Sequence, residues 1–321
     1  MADKPELLLI GPLRPVLSKG FAGFTVHQLP AANRDAFFAT KAHLRAVAVS
    51  APVEPVNDAL LANLPNLQII SSLGVGYDHI DANAAAKRGI VVTHTPDVLT
   101  EEVADTAIGL LLCTVREFPQ ADRYVREGKW PKGNYPLSKA TLRNRSVGLV
   151  GMGRIGAAIA RRLEAFGVPI AYHTRRSRPD VPYRHYASLV DMARDVDTLI
   201  AIVPGGAATQ NMIDTRVLDA LGPNGIVINV ARGSVIDEPA LIAALKQRNI
   251  HAAGLDVFVN EPDVPAELLM MDNVVLLPHL GSASVFTRKK MDQLLVDNIL
   301  VWAAGKPPLT PVPETPWQKW K

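Results

Sequence analysis

Residues 146–174, SVGLVGMGRIGAAIARRLEAFGVPIAYHT, decide how this chain is read. A short apolar run ends in Gly151, Gly153 and Gly156 at G-x-G-x-x-G spacing, an amphipathic segment follows to Gly167, and a second apolar run closes at Thr174. In a strand-turn-helix-strand unit the glycines have separate tasks. The first makes the turn tight, the second lets backbone approach a pyrophosphate, and the third lets helix and strand pack closely. The helix opening at Arg154 would aim its free N–H groups and positive dipole end at the phosphates. Glycine-rich turns are common, so the spacing alone is weak; its flanking strands and helix make it a dinucleotide-binding signature.

About 20 residues beyond such a fingerprint, an acidic side chain normally accepts hydrogen bonds from the ribose 2′-hydroxyl of NAD. Here the second strand ends in Thr174, Arg175 and Arg176, within AYHTRRSRP. A carboxylate would repel a 2′-phosphate, whereas a hydroxyl and two guanidinium groups suit one through charge-assisted hydrogen bonds. The expected cofactor is therefore NADP(H). An isolated basic run is ordinarily a solvated loop, and it is the position of this one that assigns it.

Outward from the fingerprint, short apolar runs alternate with helix-period segments, the pattern of an α/β protein with parallel sheets. Strands are expected at 6–13, 45–50, 67–74 and 89–96, and in a second series at 146–151, 169–174, 198–204, 225–231, 251–257 and 273–280. Two sheets follow, and the 321-residue chain passes the roughly 250–300 residues at which single cores stop growing. Between the series, EEVADTAIGLLLCTVREFPQADRYVREG (101–128) reads as one long helix-periodic connection capped by Thr100. After His279, a helix pattern around TRKKMDQLLVDNILVWAAG precedes a proline-rich tail. The expected fold is α/β, with two Rossmann-like or flavodoxin-like domains. A substrate domain of residues 1–98 and 288–321 would contain a nucleotide-binding domain, residues 99–287, as an insertion.

Composition narrows the class. The chain is 48% hydrophobic and 20% charged, and no apolar run is long enough to span a membrane. It opens with MADKPELLLIGPL, which suits a buried first strand rather than an export signal, so a cytoplasmic protein is expected. The formal charge of +3 is spread out, with its densest cluster at RRSR, and neither a nucleic-acid partner nor a membrane is expected. Cys113 is the one cysteine and lies in the apolar run AIGLLLCTV, so it reads as a core thiol; no metal-ligand spacing is present.

Three segments place polar side chains just beyond buried strands, where open α/β sheets bind ligands: Arg232 in INVARGSVIDEPAL, Glu261 in GLDVFVNEP and His279 in VVLLPHLGSAS. Taken singly, each has a bland reading as a surface ion pair, a turn or a packed histidine. With SLGVGYDHID (72–81), GMGRIG, NVARGSVID, GLDVFVNEP and LLPHLGSAS in this order, the sequence resembles the D-isomer-specific 2-hydroxyacid dehydrogenase family, especially its glyoxylate and hydroxypyruvate reductase branch. The match covers most of the chain, and several motifs in order are far more specific than any one.

The resemblance implies that Arg232, Glu261 and His279 are the catalytic arginine, acid and histidine. It puts Gly74, Val75 and Gly76 in the loop whose backbone N–H groups hold the substrate carboxylate, with Arg232 and His279 completing the substrate site. Asp256 would contact the nicotinamide carboxamide, and Thr100 would reach the nicotinamide. The expected cofactor-binding set begins with Gly151, Met152, Gly153, Arg154, Ile155 and Gly156, continues through Thr174, Arg175 and Arg176, and takes in Val203, Pro204 and Thr209. It closes with Val230, Ala231, Asp256, His279 and Gly281. A homodimer is also implied, through the long connecting helix and the segment after it. Trp130 would there either border the partner's substrate pocket or serve as a plain interface tryptophan. Asp105 departs from the family pattern, many relatives having Glu there.

Reducing a 2-oxo acid moves hydride to the carbonyl carbon while the oxygen gains charge and then a proton. His279 can supply that proton, histidine having an unperturbed pKa of about 6.5. Glu261, an anion beside it, would favour the imidazolium and fix the ring. Arg232 keeps its charge and can bind the carboxylate while polarising the carbonyl. His94, His173 and His251 have no catalytic partner in the sequence, and His79 lies on the edge of the carboxylate loop. The expected activity is NADPH-dependent reduction of glyoxylate, hydroxypyruvate or similar small 2-oxo acids to D-2-hydroxy acids. Two alternatives stand beside it. A nucleotide-sensing binding or corepressor protein on the same scaffold is opposed by the intact Arg232, Glu261 and His279 set. A short phosphoglycerate dehydrogenase is opposed by the absence of room for a regulatory domain. The choice of 2-oxo acid depends on spacings around Ala51 to Glu54, the 74–77 loop, Trp130 and Ser282 that the sequence leaves open.

Overall fold

A computed structural model describes residues 4–317. The chain forms two compact units, one made of residues up to Leu99 together with those from Ser284 onward, the other of Thr100–Ala283.

The first unit is built on β1 (Glu6–Ile10), β2 (Thr25–Gln28), β3 (Ala46–Val49), β4 (Ile69–Ser72) and β5 (Val91–Thr93). All pair in parallel, in the order β2-β1-β3-β4-β5, which is the flavodoxin-like arrangement. Every residue of β3, β4 and β5 is buried, as strands of a parallel sheet covered on both faces must be. Leu8, Ile10, Val49, Ile70 and Val92 share one core with Leu61, Ile80 and Ala85. The C-terminal helix Val285–Ala303 belongs to this unit: Ser71 Oγ donates to Leu295 O at 3.0 Å, and a Cβ on Gly20 would stand 2.5 Å from Val296. Past that helix the chain runs antiparallel along β5. Thr93 bridges to Pro311, Val312 N–H donates to Val92 O (2.9 Å), and Val92 N–H donates to Thr315 Oγ1 (2.8 Å), which closes this sheet edge.

The second unit carries β6 (Val147–Val150), β7 (Ile170–His173), β8 (Arg184–Tyr186), β9 (Thr198–Ala201), β10 (Ile226–Asn229), β11 (Ala252–Leu255) and β12 (Val274–Leu276). Their order, β12-β11-β10-β9-β6-β7-β8, is the doubly wound Rossmann arrangement, and the strand order reverses between β6 and β9. Ligands of such sheets bind at that switch point, outside the carboxyl ends of the strands.

The connection expected as one helix is two, Thr100–Arg116 and Phe118–Arg126. Pro119 has no N–H to donate and its ring would strike the carbonyl four residues back, so Glu117 takes a left-handed conformation (φ 55°) and the chain restarts. Thr100 is the first residue of the helix itself. Gly254 lets this helix lie close on β11, since a Cβ there would meet Thr114 Oγ1 at 2.5 Å. No helix among the described residues is long and apolar enough to cross a membrane.

Candidate active site

The loops leaving β6, β7, β9, β10, β11 and β12 carry nearly all of the cofactor and catalytic positions singled out in the second unit. After β6 the three glycines divide by cause. Gly151 has φ +110°, and a Cβ on it would stand 2.6 Å from Ile202 O, while one on Gly156 would stand 2.6 Å from Gly151 O. Packing within the chain therefore accounts for both. Gly153 is different: it caps the helix Arg154–Glu164 with ordinary φ (−77°), without any side-chain cap, and a Cβ on it would meet nothing within 4 Å. An open backbone at an uncapped helix N-terminus is the cradle a pyrophosphate fits. Met152 is buried beside it, and Ile155 packs partly buried on the core behind.

Beyond β7, Thr174 Oγ1 donates to Arg176 O at 2.6 Å, which closes a tight turn. Arg175 and Arg176 are exposed, and neither side chain has a hydrogen-bond or ion-pair partner among the described residues. Arg178, which sequence reading did not separate from its neighbours, is held fast. Its guanidinium pairs with Asp180 (Nε to Oδ1 3.0 Å) and donates to Met152 O at 2.5 Å, tying this turn to the glycine loop. After β9, Val203 flanks Gly151, and Thr209 Oγ1 donates to Pro204 O at 2.6 Å.

Beyond β10, Val230 and Ala231 are buried. Buried Asn229 shapes the turn that follows, accepting from Ala231 N–H and donating to Arg232 O, both at 3.0 Å. Gly233 then lies against the loop after β11 so closely that a Cβ would stand 2.0 Å from Phe258 C. That second loop carries Glu261, whose Oε1 accepts from Phe258 N–H (3.0 Å) and whose Oε2 meets His279 Nδ1 at 2.7 Å. Burial acts to raise the Glu261 pKa. The bonds from His279 and from the Phe258 amide, with the charges of His279 and Arg232, outweigh it and leave the carboxyl below its ordinary range.

His279 sits in the left-handed region (φ 52°), and its turn is held by Asp256. His279 N–H donates to Asp256 O (2.8 Å), and the amides of Leu280 and Gly281 donate to the two carboxylate oxygens at 2.8 and 2.9 Å. Asp256 is only 2% exposed, and burial pushes its carboxyl up against those two amides, which favour its charged form. The helix opened by Thr100 reaches this turn six residues further on, where Thr106 Oγ1 donates to Gly281 O at 3.4 Å.

Comparison with known proteins agrees with this geometry. Residues 108–281 match the model of the D-isomer specific 2-hydroxyacid dehydrogenase NAD-binding domain. The chain belongs to the D-isomer specific 2-hydroxyacid dehydrogenase family. It is similar to glyoxylate/hydroxypyruvate reductase A of Arabidopsis thaliana, at 49% identity over 79% of this chain and 80% of that protein. It is 43% identical to hydroxyphenylpyruvate reductase of Plectranthus scutellarioides, over 94% of this chain and 95% of the other. A solved structure, the NADPH-dependent glyoxylate/hydroxypyruvate reductase of Sinorhizobium meliloti in complex with NADP and malonate, superposes with a TM-score of 0.95 at 50% identity, covering 99% of this chain and 100% of that one.

In this dehydrogenase Asp105 has a definite partner: Arg162 donates to Asp105 Oδ1 (2.7 Å) and to Glu101 Oε2 (2.8 Å), joining the helix Thr100–Arg116 to the fingerprint helix. The first unit's loop after β4 also differs from a simple row of free amides. Gly74 (φ +116°) has its N–H donated to Thr95 Oγ1 at 2.8 Å, while Val75 and Gly76 N–H have no acceptor among the described residues. Of the three loop amides singled out in the sequence, the Gly74 amide is thus engaged within the chain. His94 Nδ1 lies 2.9 Å from Val75 O in the same loop. It stands immediately before Thr95, at the end of β5.

Proposed function

We propose that this dehydrogenase reduces small 2-oxo acids, glyoxylate and hydroxypyruvate among them, to D-2-hydroxy acids, with NADPH as hydride donor and His279 as proton donor. The observation that carries the reading is the His279–Glu261 pair at 2.7 Å. A carboxylate on Nδ1 fixes that nitrogen as a donor and leaves Nε2, which has no partner among the described residues, to exchange a proton with substrate. NADPH supplies hydride to the carbonyl carbon. His279 Nε2 holds the proton that the carbonyl oxygen takes, Glu261 balances the imidazolium charge, and Arg232 polarises the carbonyl and binds the carboxylate. In the first unit the Val75 and Gly76 amides receive the substrate carboxylate. Asp256 keeps the His279 turn in place, each carboxylate oxygen accepting one amide bond and keeping a lone pair with which to meet the nicotinamide carboxamide. The unit Thr100–Ala283 is thus the nucleotide-binding one, the other the substrate one, and the cytosol is the proposed compartment.

NADPH rather than NADH follows from Arg175 and Arg176, exposed and uncommitted beside the Thr174 turn, and two of the relatives named above are glyoxylate/hydroxypyruvate reductases. Purified protein should oxidise NADPH on addition of hydroxypyruvate or glyoxylate; no turnover over a panel of 2-oxo acids would overturn the reading. Replacing Arg175 and Arg176 together by alanine should cut the NADPH over NADH preference by about 10- to 100-fold, the scale of lost hydrogen bonds to a charged group. An unchanged ratio of kcat/KM values would remove the two arginines from cofactor choice.

A homodimer is proposed from four exposed apolar side chains on one segment. Phe118 (48% exposed), Val125 (53%), Trp130 (62%) and Leu137 (95%) come from the second short helix and the segment after it. Light scattering should give twice the 34.7 kDa chain mass, and a monomer would refute it.

A further inference from the structure

We propose that the C-terminal tail, residues 309–315, sets the substrate-carboxylate loop, so that Thr310 and Glu314 are positioning residues for the 2-oxo acid. The inference rests on the reading above, in which the Val75 and Gly76 amides hold the substrate carboxylate.

An amide binds an anion well only when its direction is fixed beforehand. Each peptide is a rigid plane with C=O and N–H pointing opposite ways, so a bond made by the carbonyl fixes the N–H of the next residue. Thr95 N–H donates to Gly74 O at 2.8 Å and thereby orients the Val75 amide. His94 Nδ1 bonds Val75 O at 2.9 Å and thereby orients the Gly76 amide. Because a carbonyl can only accept, Nδ1 carries the proton. The two residues at the end of β5 thus aim the two free amides.

His94 is in turn held by the tail. Its backbone is bracketed by Thr310: His94 N–H donates to Thr310 O (3.2 Å), and Thr310 Oγ1 donates to His94 O (2.6 Å). Thr310 is anchored by Asn298, fully buried in the C-terminal helix, whose Oδ1 accepts from Thr310 N–H (3.1 Å) and whose Nδ2 donates to Thr310 Oγ1 (2.9 Å). The His94 ring meets Tyr77 edge to face, centroids 5.5 Å apart, and Tyr77 Oη donates to Glu314 at 3.0 and 3.3 Å. Burial first, and then the Glu314 carboxylate, push the Tyr77 hydroxyl up to about 12, so it remains a donor at neutral pH. The tail therefore grips both ends of the arrangement, the loop through Tyr77 and its aiming histidine through Thr310.

The test separates aim from mere edge covering. In Tyr77→Phe and Glu314→Gln, the KM for hydroxypyruvate and the competitive Ki of oxalate should rise together by about 3- to 10-fold, the scale of one typical lost hydrogen bond, with kcat and NADPH affinity little changed. His94→Ala should do the same more strongly. His94→Asn should restore most of the loss, because asparagine Nδ2 stands as many bonds from Cα as histidine Nδ1 and can donate to Val75 O. Variants that lower Tm but leave KM and Ki untouched would overturn the proposal while the reductase reading stands. A wild-type protein that turns over no 2-oxo acid would overturn both.

Discussion

Replacing His279 by asparagine should lower kcat for 2-oxo acid reduction by ~10²–10⁴-fold, the range supplied by a positioned general acid, with a much smaller effect on NADPH affinity. Asparagine is the informative substitution because His279 has φ 52°, a conformation asparagine accepts and alanine resists. The turn, held by three bonds to Asp256, then survives while the proton donor is lost. Glu261→Gln should cost less, since the ring keeps a partner but loses the balancing charge. Reduction consumes one proton for each hydride transferred, so raising the pH should move the measured equilibrium toward oxidation. Glu261 itself sets an acid limit: its folded pKa lies below the unfolded value, so its contribution to stability is complete above about 4.3 and is lost as pH falls through the folded value. A His279→Asn protein with near wild-type kcat would remove histidine from proton transfer.

What the sequence made legible follows from how strongly each feature departs from ordinary surface chemistry. Buried parallel strands are apolar throughout, so the two parallel sheets could be read from VAV, IIS, VGLV and IVIN runs. The strands not foreseen, β2 (TVHQ) and β8 (RHY), are sheet edges with mixed polar residues and no apolar period to reveal them. Pro119 was visible, yet the helix period on either side of it masked the restart at Glu117. Among site residues, those with unusual side chains beyond strand ends stood out. Contacts made to backbone did not: Arg178 to Met152 O, and His94 and Thr95 to the carbonyls of Val75 and Gly74, cross the fold in ways that no local spacing encodes. Gly74 shows the converse, a glycine whose amide looked available in the sequence and is already bonded to Thr95.

Gly233→Ala should be the most damaging small substitution in the second unit. A Cβ there would stand 2.0 Å from Phe258 C, 2.1 Å from its O and 2.4 Å from Val259 N. All three are backbone atoms, so no side chain can rotate away and one loop must move. A cost of about 3 kcal/mol or more is expected for such overpacking, lowering Tm by roughly 6–12 °C for a domain of this size. Activity should fall further than stability, because the displaced loops carry Arg232 on one side and, through the Phe258 amide, Glu261 on the other. A misplacement of about 1 Å can cost ~100-fold in rate. Gly153→Ala supplies the contrast: its Cβ would meet nothing, and its φ of −77° suits alanine. There Tm should change by only the cost of a poorer helix cap, about 1 kcal/mol, while NADPH affinity falls at least tenfold because the methyl occupies the pyrophosphate's approach. Thermal melts and NADPH titrations on the two variants should therefore give opposite patterns. A Gly153→Ala protein that bound NADPH as tightly as wild type would mean that the open backbone at this helix N-terminus does not carry the cofactor.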